Sequence, residues 1–380
     1  MVIRHPLPST DRNSSDEMRI TDLRLHNFRN AAQGAYRFSA SRVLLLGPNG
    51  AGKSNLLEAL GFLSVLRSFR GAPVREMVML EKHEFGLAAR IDCGNFRKQI
   101  SLRERIGGGR ELFEERKPVA RASDFIRNFR TVVFAPEDRM IVAGGAAYRR
   151  RFFDMLISVL EPKYFSSLGS CNRALKQRNK ALRSGGGRAA AYFDPVLAES
   201  AGVLTAFRRE YAAMLEREVN RLMPSPGRFA VKCHFSAPED CGEFLQLLAR
   251  ERDKELRRGA TLYGPHLDDF ELVLDGKPLR GCGSNGQIRL MSLYLKLAEF
   301  ALIRRLAELP VLVLADDVTC ELDAVNKRRF LELTQVADQS FFTFTQRPDE
   351  PFFSSAQEIV LPSENGAAKA DNSQNMAGLR

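Results

Sequence analysis

The sequence predicts an α/β fold: a mixed sheet with helices, divided in the chain by an inserted, mostly helical lobe. Three observations predict it. The apolar run Val43-Leu44-Leu45-Leu46 leads through a glycine-rich turn into Asn55-Leu56-Leu57-Glu58-Ala59-Leu60, so strand, loop and helix follow in order. A second continuous apolar run, Val311-Leu312-Val313-Leu314-Ala315, marks another buried strand far downstream. Between them, residues 148–256 carry helical rather than strand periodicity.

Taken in order, residues 19–25 alternate polar and apolar side chains, which predicts a half-exposed strand, and a second strand is expected over 34–38. Strands with polar turns follow within 85–103, and Gly107-Gly108-Gly109 predicts a loop. Thr131-Val132-Val133-Phe134 predicts a buried strand closed by Ala135-Pro136. Helices are expected from 149, over 164–182 and over 195–223, with Ser184-Gly185-Gly186-Gly187 as the break. Strand texture returns at 260–263 and 270–274, followed by the hairpin turn Asp275-Gly276. A helix over 285–309 precedes the downstream apolar strand, and after Phe341-Phe342-Thr343-Phe344 the signal fades. The expected domains are a disordered extension (1–17), a discontinuous lobe (18–139 and 258–362), an inserted helical lobe (140–257) and a disordered tail (363–380). Either Met1 or Met18 starts the native chain.

The 380 residues are enough for two or three domains, and 44% hydrophobic with 27% charged residues is ordinary for a protein with a sizeable core. The net charge of +11 points to a polyanionic partner, nucleic acid or an acidic membrane surface, although charge alone does not separate either from a merely soluble face. No stretch approaches the ~20 apolar residues of a membrane span, and residues 1–17 lack the apolar core of a signal peptide. The six cysteines form no C-x-x-C pair, and Cys233-His234 with Cys241 lacks zinc-ligand spacing. They are expected to be reduced thiols in a cytoplasmic protein.

Gly47-Pro48-Asn49-Gly50-Ala51-Gly52-Lys53-Ser54 fits the phosphate-binding P-loop, G-x-x-x-x-G-K-[ST]. Glycines let backbone amides turn inward around phosphate oxygens, and the following helix adds the partial positive charge of its N-terminus. Lys53 is expected to reach the outer phosphates and Ser54 to hold Mg²⁺. Asp316-Asp317, at the end of the downstream strand, supplies the matching carboxylates: Asp316 for Mg²⁺, Asp317 to polarise an attacking water. Ser284-Asn285-Gly286-Gln287 opens the preceding helix and offers a second anion site, or an ordinary N-cap.

This order resembles an ABC-type ATPase head, with Glu321-Leu322-Asp323 resembling its D-loop. The resemblance implies that Ser284, Gly286 and Gln287 close on nucleotide bound by a second copy. With no membrane-spanning run and no long coiled coil, the chain is identified as a member of the RecF family. The blocks that carry this are 19–30, the P-loop through Ala59, Val132 to Asp138, Arg149-Arg150-Arg151-Phe152-Phe153-Asp154, Leu175-Lys176-Gln177-Arg178-Asn179, Gly264-Pro265-His266 and the motifs above. It departs from the family pattern at Leu267 (usually Arg), Ile288 (usually Gln), Ala315 (usually Leu) and Cys320 (usually Ser).

The resemblance implies a slow, DNA-stimulated ATP hydrolase with its sites shared across an ATP-dependent homodimer. It implies binding to gapped or junction DNA, with RecR and RecO as partners and RecA loading as the outcome. It places ATP on Gly47, Asn49, Gly50, Gly52, Lys53, Ser54 and Asn55, with Arg29 and Asn30 as base contacts by family position. Physical support for DNA comes from Arg103, Arg105, Arg110, Arg116, Lys117, Arg121, Arg127 and Arg130, and from Arg149-Arg150-Arg151, although more than half of these are expected to be solvated or structural. Two rivals stand beside this reading: a DNA scaffold in which ATP only drives dimerisation, and a metabolic P-loop kinase, which the Ser284 motif and the positive charge disfavour.

Overall fold

The computed structural model describes residues 18–94, 96–223, 227–307, 309–318 and 322–362. The expected disordered ends, and Cys320 and Glu321 of the D-loop, lie outside them. The chain forms two compact units. One takes the described chain up to Phe125, residues 312–323 and residues from 337 onward; the other takes Ile126–Val311 and Ala324–Val336. The α/β class is as predicted.

In the first unit an antiparallel six-stranded sheet runs in the order Ala31–Arg37, Arg19–Phe28, Glu84–Asp92, Arg97–Arg105, Arg110–Glu114, Lys117–Pro118. Parallel strands form the second layer, in the order Gln357–Val360, Arg42–Leu46, Gln339–Phe344, Val311–Ala315. The Lys53–Val65 helix packs on both layers. It is buried around its circumference rather than along one stripe, which explains why its apolar residues do not keep to one face. Phe85 receives Phe28 and Phe62 edge-on, at ring separations of 5.1 and 5.4 Å. Gln339, fully buried, joins the layers. It accepts from the Ile20 amide at 2.8 Å and donates to the Ile20 and Ala40 carbonyls at 3.1 Å each.

The second unit is helical around Asp194–Leu222, which packs against Pro162–Arg183, Cys241–Arg250 and Asn285–Leu306. Two buried arginines hold it. Arg178 donates to Asp194 (2.7 Å), Glu255 (2.6 Å) and Thr261 Oγ1 (2.8 Å). Arg208 donates to Asp268 (2.6 Å), Asp154 (2.7 Å), the Pro265 carbonyl (2.7 Å) and Tyr164 Oη (3.0 Å).

Three readings of the sequence need correction. Residues 260–263 form no strand, because Thr261 N donates to Asn179 Oδ1 (2.8 Å) and Leu262 N to Glu255 Oε1 (2.9 Å), engaging the backbone with side chains instead of a ladder. Phe229–His234 is a strand inside the segment read as helical, paired antiparallel with Asp269–Leu274. Gln357–Val360, where no element was expected, pairs parallel with Arg42–Leu46. No helix among the described residues is long and apolar enough to cross a membrane.

Replacing Arg178 with Ala leaves the buried Glu255 without its cation and Asp194 with Arg252 alone, and should cost about 3–5 kcal/mol in a denaturant-unfolding measurement. A second consequence concerns pH. Burial pushes the Asp138 carboxyl up to about 7, against the pull of Lys296 and the Ala135 amide. Its native form therefore holds a proton that the unfolded form has released. Its contribution to stability is full below about pH 4 and is lost as pH rises through about 7. Urea titrations from pH 4 to 8 should show this decline in the wild type and its loss in Asp138→Asn.

Candidate nucleotide site

The P-loop strand, Arg42–Leu46, is buried on both faces and ends at Gly47. Gly47 has φ +154°, and a Cβ there would lie 2.6 Å from the Leu361 carbonyl oxygen. Gly50 and Gly52 both have φ +86°. The Lys53–Val65 helix starts without a side-chain cap, which leaves its first amides to an anion. Lys53 is buried and donates to the Gly47 and Pro48 carbonyls at 2.7 and 2.9 Å, so its ammonium sits inside the loop. Asn49 and Gly50 are exposed at the loop's rim.

Ser54 Oγ donates to Asp316 Oδ1 at 2.7 Å. The strand Gln339–Phe344, between the P-loop strand and the strand that ends before Asp316, contributes Thr343, whose hydroxyl donates to Asp316 Oδ1 (3.0 Å) and accepts from the Asp317 amide (2.9 Å). Asp317 turns off the strand with φ +52°, a left-handed conformation that Asp tolerates better than most residues. Arg70 reaches Asp316 Oδ2 at 3.5 Å and Asn55 Oδ1 at 3.2 Å, while Asn55 Nδ2 donates to Asn30 Oδ1 at 2.9 Å. One polar chain therefore runs from Asn30 through Asn55, Arg70 and Asp316 to Ser54 and Thr343. A hydroxyl and a carboxylate this close are a hard oxygen pair that fits Mg²⁺.

Arg29 is placed differently from its expected role. Its guanidinium donates to Glu58 at 2.8 and 2.9 Å and to the Glu76 carbonyl at 2.9 Å, so each nitrogen has a protein partner. Glu58, fully buried, also accepts from Ser68. Arg29 thus braces the P-loop helix, and Asn30 alone of the pair presents an exposed side chain beside Gly52. Arg70, Thr343 and Glu58 were not singled out from sequence. Thr343 had a signal, a hydroxyl flanked by phenylalanines in a buried strand; Arg70 had none.

Ser284, Gly286 and Gln287 belong to the other unit and are exposed. Ser284 Oγ accepts from the Gln287 amide (3.2 Å) and Gln287 Oε1 from the Ser284 amide (2.9 Å), a reciprocal cap on Asn285–Leu306. In the same unit Arg149 is buried against Asp269, and Leu267, where the family carries Arg, is exposed. Half of the basic run is engaged as well, while Arg116, Lys117, Arg121 and Arg127 are exposed. Arg103 and Arg105 pair with Glu84 and Glu111, Arg110 with Glu104, and Arg130 is buried.

The loop geometry predicts an order of sensitivity. Gly47→Ala meets backbone as well as an unfavourable φ, whereas a Cβ at Gly50 meets nothing within 4 Å. Thermal melting should show Gly47→Ala as the more destabilised of the two.

Residues 19–365 match the RecF/RecN/SMC N-terminal domain family. The DNA replication and repair protein RecF of Geobacter metallireducens is 33% identical over 318 residues, covering 80% of this chain and 87% of that protein. The Geobacter sulfurreducens protein of the same name is 34% identical over 320 residues, with the same coverage. Among solved structures, the recombination mediator protein RecF with ATP, in the RecFOR pathway, superposes with a TM-score of 0.82 at 28% identity, covering 90% of this chain and 95% of that one. The RecF–ATPrS structure gives 0.81 at 27%, covering 93% and 100%. The family match over nearly the whole chain, with these relatives and the P-loop geometry, places this chain in the RecF family of ABC-type ATP-binding proteins.

Proposed function

We propose that this chain is a DNA-binding ATPase of replication and recombinational repair, acting as an ATP-dependent homodimer on gapped or junction DNA in the cytoplasm. RecR and RecO are the proposed partners, with RecA loading as the outcome. The proposal assigns nucleotide binding to residues 18–139 with 258–362, and a supporting helical role to 140–257. The observation that carries it is the contact between Ser54 and Asp316 at the mouth of a loop that already encloses Lys53.

In this reading the loop glycines and the helix N-terminus cradle the phosphates, and Lys53 moves from the loop carbonyls onto the outer phosphate oxygens. Ser54 and Asp316 hold Mg²⁺, which when bound neutralises phosphate charge. Thr343 and Arg70 fix the Asp316 carboxylate in place. Asp317 orients the attacking water and takes up its proton. Ser284, Gly286 and Gln287 of a second copy close the site from outside. Their exposure supports that assignment.

Sedimentation with saturating ATP tests this. Asp317→Asn should accumulate as a dimer, and Lys53→Arg should bind ATP while its turnover falls by at least about tenfold. An Asp317→Asn chain that stays monomeric contradicts the shared site. Turnover that gapped duplex leaves unchanged would favour the scaffold alternative.

A further inference from the structure

Half of the basic run that drew attention in the sequence is paired or buried, with Arg116, Lys117, Arg121 and Arg127 left exposed, and a second exposed basic surface lies elsewhere. Residues 162–193 contain no Asp or Glu. They hold seven cations: Lys163, Arg173, Lys176, Arg178, Lys180, Arg183 and Arg188. Arg178 is buried among its carboxylates. The other six are exposed and form no ion pair with any described residue.

The Pro162–Arg183 helix sorts them by face. Tyr164, Leu168, Cys171, Ala174, Arg178 and Leu182 are buried. At 100° per residue the opposite side carries Arg173, Lys176, Gln177 and Lys180, with Arg183 at its margin. Of the block Leu175 to Asn179, packing accounts for Arg178 and for Asn179, which receives Thr261 N. Lys176 and Gln177 are left facing water. Lys180 and Arg183 also suit the negative end of the helix dipole, but Arg173 and Lys176 lie too far from the C-terminus for that to explain them.

We infer that this acid-free face of the Pro162–Arg183 helix is a contact surface for the phosphate backbone of nucleic acid. The inference rests on the DNA-binding reading and assigns that role to a surface the sequence did not point to. The cations recur every three or four residues, about 5 Å apart along the axis, so long flexible side chains can follow a phosphodiester strand without a fixed register. The apolar side of the helix is packed inside the protein, so it has nothing to insert into a membrane. Phe165, at the margin of this face, is half-buried, so the face presents no fully exposed aromatic anchor of the kind a protein interface needs. Ser166, Asn172 and Gln177, also exposed there, are neutral hydrogen-bonding groups suited to phosphate oxygens.

The test uses the full chain with saturating ATP and a fluorescent duplex bearing a single-strand gap. Affinity is measured by anisotropy across a range of NaCl concentrations. Changing Arg173, Lys176 and Lys180 together to Ala should flatten the slope of log affinity against log salt by about 2–3. Melting temperature and DNA-free ATP turnover should stay at wild-type values, since Ala favours an exposed helix position. A charge-conserving variant (R173K, K176R, K180R) should keep the wild-type slope. If wild type binds the duplex and the triple Ala variant keeps its slope, the assignment to this helix is overturned, and the face is left to an acidic protein. If wild type fails to bind the duplex at low salt, the DNA reading itself falls.

Discussion

The contact between Ser54 and Asp316 joins residues 262 apart in sequence, and the site depends on it. The strands that lead to them, Arg42–Leu46 and Val311–Ala315, are not neighbours; Gln339–Phe344 runs between them. The sheet order therefore leaves one strand's width to bridge, and Thr343 on the middle strand bridges it. Because all three strands are parallel, their C-terminal ends gather at one edge, where open α/β sheets bind their ligands. Arg70 extends the same network toward Asn55 and Asn30, so the carboxylate is held from both sides before any ligand arrives. Preorganisation of this kind lowers the cost of gathering charge around a phosphate.

Charge in this protein divides by burial. Arg178 and Arg208 lie inside the helical unit with carboxylates on their nitrogens, and Arg29 does the same for the P-loop helix. Guanidinium suits this work because its planar donors satisfy several acceptors at once. The cations left facing water are the ones able to act on a partner, and one group of them lies on a helix free of acids.

Much of the fold was legible because its strongest signals are local. The P-loop strand and helix, the helices of the inserted lobe and the strand at 311–315 each carry a continuous or periodic apolar pattern. The misses are non-local. Phe229–His234 and Gln357–Val360 are short, and their identity comes from the strand beside each. The expected strand at 260–263 failed because Asn179 and Glu255 captured its amides. The site divides similarly: Lys53, Ser54 and Asp316 announce themselves by motif, whereas Arg70 and Thr343 are defined only by what the fold brings beside them. Clustering of arginines along the chain was an incomplete guide to surface charge, since Arg103, Arg105 and Arg110 meet glutamates from neighbouring strand positions while Arg116, Lys117, Arg121 and Arg127 stay exposed.

The most direct test of the central claim is calorimetric titration of ATP into the full chain, with Mg²⁺ and with the metal chelated, repeated for Ser54→Ala. If Ser54 and Asp316 form a metal–phosphate site, Mg²⁺ tightens binding to the wild type and the gain disappears in the variant. Equal affinity with and without the metal, or an undiminished gain in Ser54→Ala, would contradict the account.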